Sequence, residues 1–252
     1  MAERSAARLY LITARLIPGG AVELDAGQAH RLRSVLRLGP GAIVAAFNAA
    51  DGEWLCRVAE IGRSGGRLEV EHQLRRPEPE RESGLWLVFA PIKRARVDWL
   101  VEKATELGAS ALLPVWTART QAERLNIERL RAHAVEAAVQ SERLSVPDLR
   151  PPDRLEQVLA RWPADHRLFV CDESGGGEPI SEAAARLSPG PMALLVGPEG
   201  GFDQRELDAF GKLSFVTRIG LGPRVLRAET AALAALAIFQ AIAGDWRRTR
   251  SR

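Results

Sequence analysis

The sequence predicts an α/β protein in two parts, a small β-rich unit followed by a larger unit built on a parallel sheet. Three observations carry this reading. Residues 42–74 hold three strand-length runs separated by the turn sequences AADG and RSGG. Beyond residue 84 the rhythm changes to short apolar runs alternating with helical stretches, the pattern of a parallel sheet covered on both faces. Between them, LRRPEPERESG (74–84) is rich in proline and charge, has no apolar period, and reads as a linker.

In chain order, AGQAHRLRSVLRLGPG (26–41) reads as a short helix stopped by the Gly39-Pro40-Gly41 turn. AIVAAFN (42–48), EWLCRVAEI (53–61) and RLEVEHQL (67–74) are the three strands of the first unit. LWLVFAP (85–91) is a buried-strand run, and VDWLVEKATELG (97–108) an amphipathic helix ended by glycine. ALLPVW (111–116) is a strand and residues 123–144 are helical. HRLFVCDE (166–173), MALLVG (192–197) and FVTRIGLG (215–222) are further strands. Helices RELDAFGKL (205–213) and TAALAALAIFQAIAG (230–244) follow the last two. The expected boundaries are 1–74 for the β unit, 75–84 for the linker, 85–246 for the α/β unit and 247–252 for a basic tail.

Composition narrows the function classes. The two cysteines, Cys56 and Cys171, have no metal-type spacing, so neither a disulfide framework nor a zinc site is expected, and no metal. No apolar run has the length of a membrane span, and the N-terminal stretch lacks a signal segment, so the expectation is a soluble, cytoplasmic protein without a membrane partner. The net charge of +3 sits entirely in the first third: residues 1–76 carry 11 arginines against 8 acidic residues, and the rest balances at 24 each. Only Lys93, Lys103 and Lys212 are lysine. Arginine forks suit phosphates and stack on bases, so RNA is a natural partner, although coding bias accounts for the excess equally well.

Ligands of open α/β sheets bind outside the carboxyl ends of the strands. Two glycine-bearing loops are expected there, GPEGGF (197–202) after one strand and the loop GLGPRVLRAET (220–230) after another, on strands taken to be adjacent. The first matches neither the dinucleotide fingerprint nor a phosphate loop, since no G-x-G-x-x-G and no G-K-[ST] are present. Its glycines permit close backbone approach to a flat ligand, and Asp203 with Glu206 caps the following helix. In the second loop, Arg224 and Arg227 stand beside Glu229 at a helix start, which is either a reactive cluster or a helix-terminal carboxylate with Arg227 as its surface partner.

LLVGPEGGFDQRE together with IGLGPRVLRAETAALAAL resembles the signature of the SPOUT methyltransferases, and more narrowly the RsmE family, which methylates N3 of a uridine in 16S ribosomal RNA. Arg8-Leu9-Tyr10 and HRLRSVLRLGPG (30–41) resemble that family's PUA-like RNA-binding domain. PIKRARVDWLVEKATELGASALLPVWTARTQ resembles the opening of its methyltransferase domain. AVQSERLSVPDLRP resembles its Q-x-x-R-x-x-x-P segment, with Val139 where a glutamate is common. The resemblance implies a PUA-like β-barrel, a trefoil-knotted α/β domain, S-adenosylmethionine as cofactor, a homodimer, and 16S ribosomal RNA within the small subunit as partner. It places cofactor contacts on Leu195, Gly197, Pro198, Glu199, Gly200, Leu221, Gly222, Val225 and Leu226.

Methylating a uridine nitrogen requires stabilising the anion that forms as N3 loses its proton, and removing that proton. Arg227 is the candidate for the first task. Glu229 is the candidate base or the residue that orients Arg227. Arg8, Arg33 and Arg37 in the basic front unit are candidate RNA contacts. Lys93 and Arg94 follow the carboxyl end of a strand and are candidates too; with Arg96 they equally resemble a solvated charge run. The alternatives are an RNA-binding protein with a decayed α/β half, and a sister methyltransferase acting on another RNA or position.

Overall fold

A computed structural model gives the fold and describes residues 6–11, 14–77, 84–121, 124–187 and 190–247, with the side chain of Arg94 outside that set. Residues 78–83 of the expected linker and 248–252 of the expected tail therefore lie outside the described residues. The chain forms two compact units, residues 1–80 with 138–145, and residues 81–137 with 146–252.

The first unit is a five-stranded sheet. Its strands are β1 (Ala7–Tyr10), β2 (Ala21–Leu24), β3 (Ile43–Asn48), β4 (Gly52–Ile61) and β5 (Gly66–Arg75), in the order β1-β3-β4-β5-β2. β1 runs parallel to β3 and the other pairs are antiparallel. The β3–β4 turn needs glycine at position 52: its φ is +85°, and a Cβ there would lie 2.2 Å from the Arg75 carbonyl oxygen. Val44, Trp54, Val58 and Leu68 fill the core beneath.

The helix expected over 26–41 is shorter. α1 (Ala26–His30) opens on an Asp25/Gln28 capping box and widens into a π-helical turn, Arg31–Val35. Leu32 is fully buried there while Val35 and Leu36 are exposed, so no continuous apolar face runs on past it. Arg37 then takes a left-handed φ of +57°, and the Gly39–Ala42 turn closes as expected with Ala42 N–H donating to Gly39 O at 3.1 Å.

The second unit is an eight-stranded sheet, parallel throughout. In chain order it contains β6 (Leu85–Phe89), α2 (Arg94–Glu106), β7 (Ala111–Trp116), α3 (Ile127–Gln140, whose residues from 138 on belong to the first unit), β8 (Asp148–Leu149) and β9 (Asp153–Arg154). It continues with α4 (Leu155–Ala160), β10 (Arg167–Cys171), β11 (Glu178–Pro179), α5 (Ile180–Ala185), β12 (Met192–Val196), α6 (Gln204–Phe210), β13 (Val216–Gly220) and α7 (Ala228–Ile242). The strand order is β11-β13-β10-β12-β6-β7-β8, with β9 also paired to β7.

Every residue of β12 is buried, because helices cover both faces of the sheet. Leu194 packs with Val97 and Leu100 of α2 and Ala232 and Leu236 of α7. Leu195 packs on the other face with Leu155 of α4 and Leu207 and Phe210 of α6. Each such leucine contributes about 1.5–3 kcal/mol on burial, which makes the strand a rigid mount for the loop that leaves it.

One expectation is corrected. The two glycine loops do not leave adjacent strands: β10 lies between β12 and β13, pairing Val170 with Leu195 on one side and Arg218 on the other. A third loop, 172–177, therefore separates them. The spacing of apolar runs along the chain carries no information on this crossover order.

Candidate cofactor and catalytic site

Because the strands are parallel, the loops after β6, β7, β10, β12 and β13 gather at one edge of the second unit. The GPEGGF loop is pinned at both ends. The buried Phe202 ring lies under Gly197, where an added Cβ would come within 3.0 Å of it, and stacks edge-on against Phe210 with centroids 5.1 Å apart. Asp203 accepts from Glu206 N–H at 2.8 Å and Glu206 accepts from Asp203 N–H at 2.9 Å, the expected capping box. The other Glu206 oxygen accepts from Ala118 N–H at 2.8 Å, tying the loop after β7 to the start of α6. Arg119 from the same loop donates to Gly200 O at 2.8 Å. Gly201 takes a φ of +66° with its α-carbon against the Glu173 side chain. The loop is thus fixed by contacts with its own chain, the kind of arrangement that preorganised binding uses.

In the second loop Gly222 has a φ of +96° and open space around it. Leu221 and Leu226 are half-buried against the core, whereas Val225 is 84% exposed. Arg227 is the exposed N-cap residue of α7 and its side chain caps nothing. Glu229 follows in the first turn and is buried, with one carboxylate oxygen lacking any hydrogen-bond partner.

Glu229 and Arg227 do not pair. The cation beside Glu229 is Arg96 of α2, whose Nε stands 3.5 Å from Glu229 Oε1 and whose Nη1 stands 3.8 Å from Glu199 Oε1. The reading of Arg227 as the surface partner of Glu229 is corrected accordingly, and so is the reading of Arg96 as part of a solvated run.

The loop between the two glycine loops carries a buried acid. Asp172 accepts from Arg218 Nε at 2.9 Å, from Ser174 N–H at 2.9 Å and from the Ser174 hydroxyl at 2.6 Å. Burial pushes its carboxyl upward, but the Ser174 and Arg218 bonds outweigh this and hold it below the usual carboxylate range. Gly177 lies so close to β13 that a Cβ would come within 2.6 Å of the Ile219 carbonyl carbon.

Of the residues expected to contact RNA, Arg37 and Lys93 are exposed and Arg33 is half-buried. Arg8 is different. Its guanidinium donates to Glu53 at 2.6 Å, to Val139 O at 2.8 Å and to Arg143 O at 3.1 Å, and lies 4.0 Å from the Phe47 ring centre. All of these partners belong to the first unit. With 12% of its side chain exposed, Arg8 is a strut of that unit, which corrects its assignment to RNA.

Residues 79–240 match the RNA methyltransferase domain family and residues 24–71 the RNA methyltransferase PUA domain. The ribosomal RNA small subunit methyltransferase E of Rickettsia conorii is 32% identical over 231 residues, covering 91% of this chain and 93% of its own. The chain belongs to the RsmE family. Its Mycobacterium bovis relative of the same name is 31% identical over 251 residues, covering 95% of this chain and 94% of its own. Among solved structures, the Neisseria gonorrhoeae RsmE bound to S-adenosyl methionine superposes with a TM-score of 0.83 at 26% identity, covering 96% of this chain and 99% of that one. The small N-terminal sheet is the family's PUA domain and the parallel-sheet unit its methyltransferase domain.

Arg119, Asp172 and Arg218 of this edge escaped sequence reasoning, and Arg96 was read only as part of the charge run after β6. One signal was available for Arg96. It is one of three cations in the run KRAR (93–96) at the start of α2, where no acidic residue offsets them and the helix dipole disfavours positive charge.

Proposed function

We propose that this protein transfers the methyl group of S-adenosylmethionine to N3 of a uridine in 16S ribosomal RNA, acting as a homodimer on the small subunit, with the trefoil-knotted chain that the SPOUT resemblance implies. The observation that carries the site assignment is Glu229, a buried carboxylate with an unsatisfied oxygen that follows the second glycine loop and shares Arg96 with Glu199 of the first. A buried polar atom without a partner is costly unless a ligand completes it. In the same loop Val225 is exposed and a side chain at Gly222 would meet nothing, so the loop offers apolar and backbone surface, with the Glu229 carboxylate for a cation, to a cofactor that has a flat ring at one end and a positive charge at the other. Leu195, Gly197, Pro198, Glu199, Gly200, Leu221, Gly222, Val225 and Leu226 would hold it.

When bound, S-adenosylmethionine supplies a strongly electrophilic methyl on a sulfonium. The protein's own task is to present the uridine nitrogen as an anion. Arg227 is exposed at the start of α7 with its guanidinium uncommitted among the described residues, so it is free to meet the pyrimidine and stabilise the charge that develops there. Glu229 stands beside Arg96 rather than Arg227, which supports reading it as the base that takes the N3 proton over reading it as the residue that orients Arg227. Arg33, Arg37, Lys93 and Arg94 are assigned to the RNA backbone.

Single-turnover methyl transfer tests these roles. Arg227→Ala should lower the rate by about a hundredfold, with RNA affinity little changed and partial recovery at higher pH as uridine ionises unaided. Glu229→Gln should lose rate steeply. A near-native rate in Arg227→Ala would leave proximity as the source of catalysis.

A further inference from the structure

We propose that Arg96 is a positioning residue that couples the cofactor loop to the catalytic base, Glu229; the proposal rests on the site assignment above. The sequence places Arg96 in the first turn of α2, directly after the segment in which Ala90 N–H donates to Val196 O at 3.0 Å and so joins the end of β6 to the end of β12. From there one guanidinium stands between two carboxylates on separate elements, Glu199 in the GPEGGF loop at 3.8 Å and Glu229 at the start of α7 at 3.5 Å.

The position runs against local preference. A cation in the first turn of a helix faces the positive end of the dipole, at about 0.3–1 kcal/mol, and α2 has no acidic residue there to offset it. Residues that break a local rule without a local gain mark constraints imposed from elsewhere. Here the constraint is the pair of acids. Glu199 is only half-covered and needs no partner for its own solvation, whereas Glu229 is buried and does. Holding both on one planar fork fixes the distance between the loop that carries the cofactor and the carboxylate that takes the proton. A lysine, being a point charge, would satisfy one of them at a time. Arg96 thus serves Glu229 by fixing its carboxylate through Oε1 and serves Glu199 by setting the loop.

The test uses the full-length enzyme, with S-adenosylmethionine binding by calorimetry and single-turnover transfer at saturating cofactor and RNA. Arg96→Ala should slow transfer about tenfold or more and weaken cofactor binding about three- to tenfold. Glu199→Gln should give the same binding loss, and Arg96→Ala/Glu199→Gln should bind no more weakly than either alone, since the two act through one contact. Arg96→Lys should restore at most one of the two losses. A native transfer rate in Arg96→Ala, binding losses that multiply in the double variant, or full rescue of both losses by lysine would each overturn the proposal. If Arg96→Ala melts well below the parent, Arg96→Gln, which keeps much of the stem and loses the charge, takes its place. A wild-type protein that binds no cofactor would instead refute the site assignment.

Discussion

Replacing Arg8 by alanine separates a strut from an RNA contact. The side chain makes charged hydrogen bonds to Glu53 at 2.6 Å, Val139 O at 2.8 Å and Arg143 O at 3.1 Å, each of a kind that contributes about 1.5–3 kcal/mol. Removing one partner of a largely buried ion pair costs about 3–5 kcal/mol when the other charge is stranded. Glu53 would not be wholly stranded, because Arg75 Nε stands 3.8 Å from its second oxygen. These contributions share one guanidinium and do not add, so the expected loss is about 2–4 kcal/mol, against about 0.5 kcal/mol or less for an ordinary surface arginine. Hydrogen exchange read by mass spectrometry on peptides from β3 and β4 localises the loss to the first unit. Protection of amides that open with that unit should fall by about thirty- to a thousandfold, at roughly 1.4 kcal/mol per tenfold. The salt dependence of RNA binding, measured where the variant is folded, should keep its slope. Native protection combined with a slope reduced by about 0.7–0.9 would return Arg8 to the RNA interface and refute the reasoning.

The remaining predictions address the site edge. Gly200→Val should fold normally, because its Cβ meets only the Arg119 side chain at 3.6 Å; cofactor affinity should fall about tenfold or more, and unchanged affinity would remove the loop from the site. Gly177→Ala should lower the melting temperature and weaken cofactor binding together, since its Cβ would press on the backbone of β13 at 2.6 Å, and overpacking of this kind costs about 1–3 kcal/mol. Asp172 has a lowered carboxyl pKa in the folded state, so its stabilisation is present above the unfolded value and is lost as pH falls through the folded one. Asp172→Asn should therefore melt below the parent at pH 7, with the gap closing in acid below about pH 4; a constant gap would refute the assignment. Cys171 is buried with its thiol pushed up to about 12, so maleimide at pH 8 should label it only after unfolding, and native labelling would contradict its burial.

What was legible in the sequence follows from which forces act locally. Strand β7 matches its expected limits, and β3, β4, β6 and β12 lie within a residue or two of theirs, because apolar runs bounded by turn residues are local signals. The Asp203/Glu206 cap was readable for the same reason. β1 and β2 were not, at four residues each, and neither were α4 and α5, at six, since elements so short carry too few periods to stand out. At the candidate site, residue types and spacing drew attention to the glycine loops, Arg227 and Glu229. Partnership did not show: that Glu229 faces Arg96, 133 positions earlier, and that Arg8 is committed to Glu53 and to the carbonyls of Val139 and Arg143 depends on crossovers that no local pattern encodes.

The central claim is tested most directly by mass mapping of 16S ribosomal RNA from cells lacking this gene, complemented with the wild-type chain or with Glu229→Gln. The account predicts that one N3-methyluridine disappears, returns with the wild-type chain and does not return with Glu229→Gln. An unchanged methylation pattern, or a methyl group lost instead from a ribose or from transfer RNA, would contradict it.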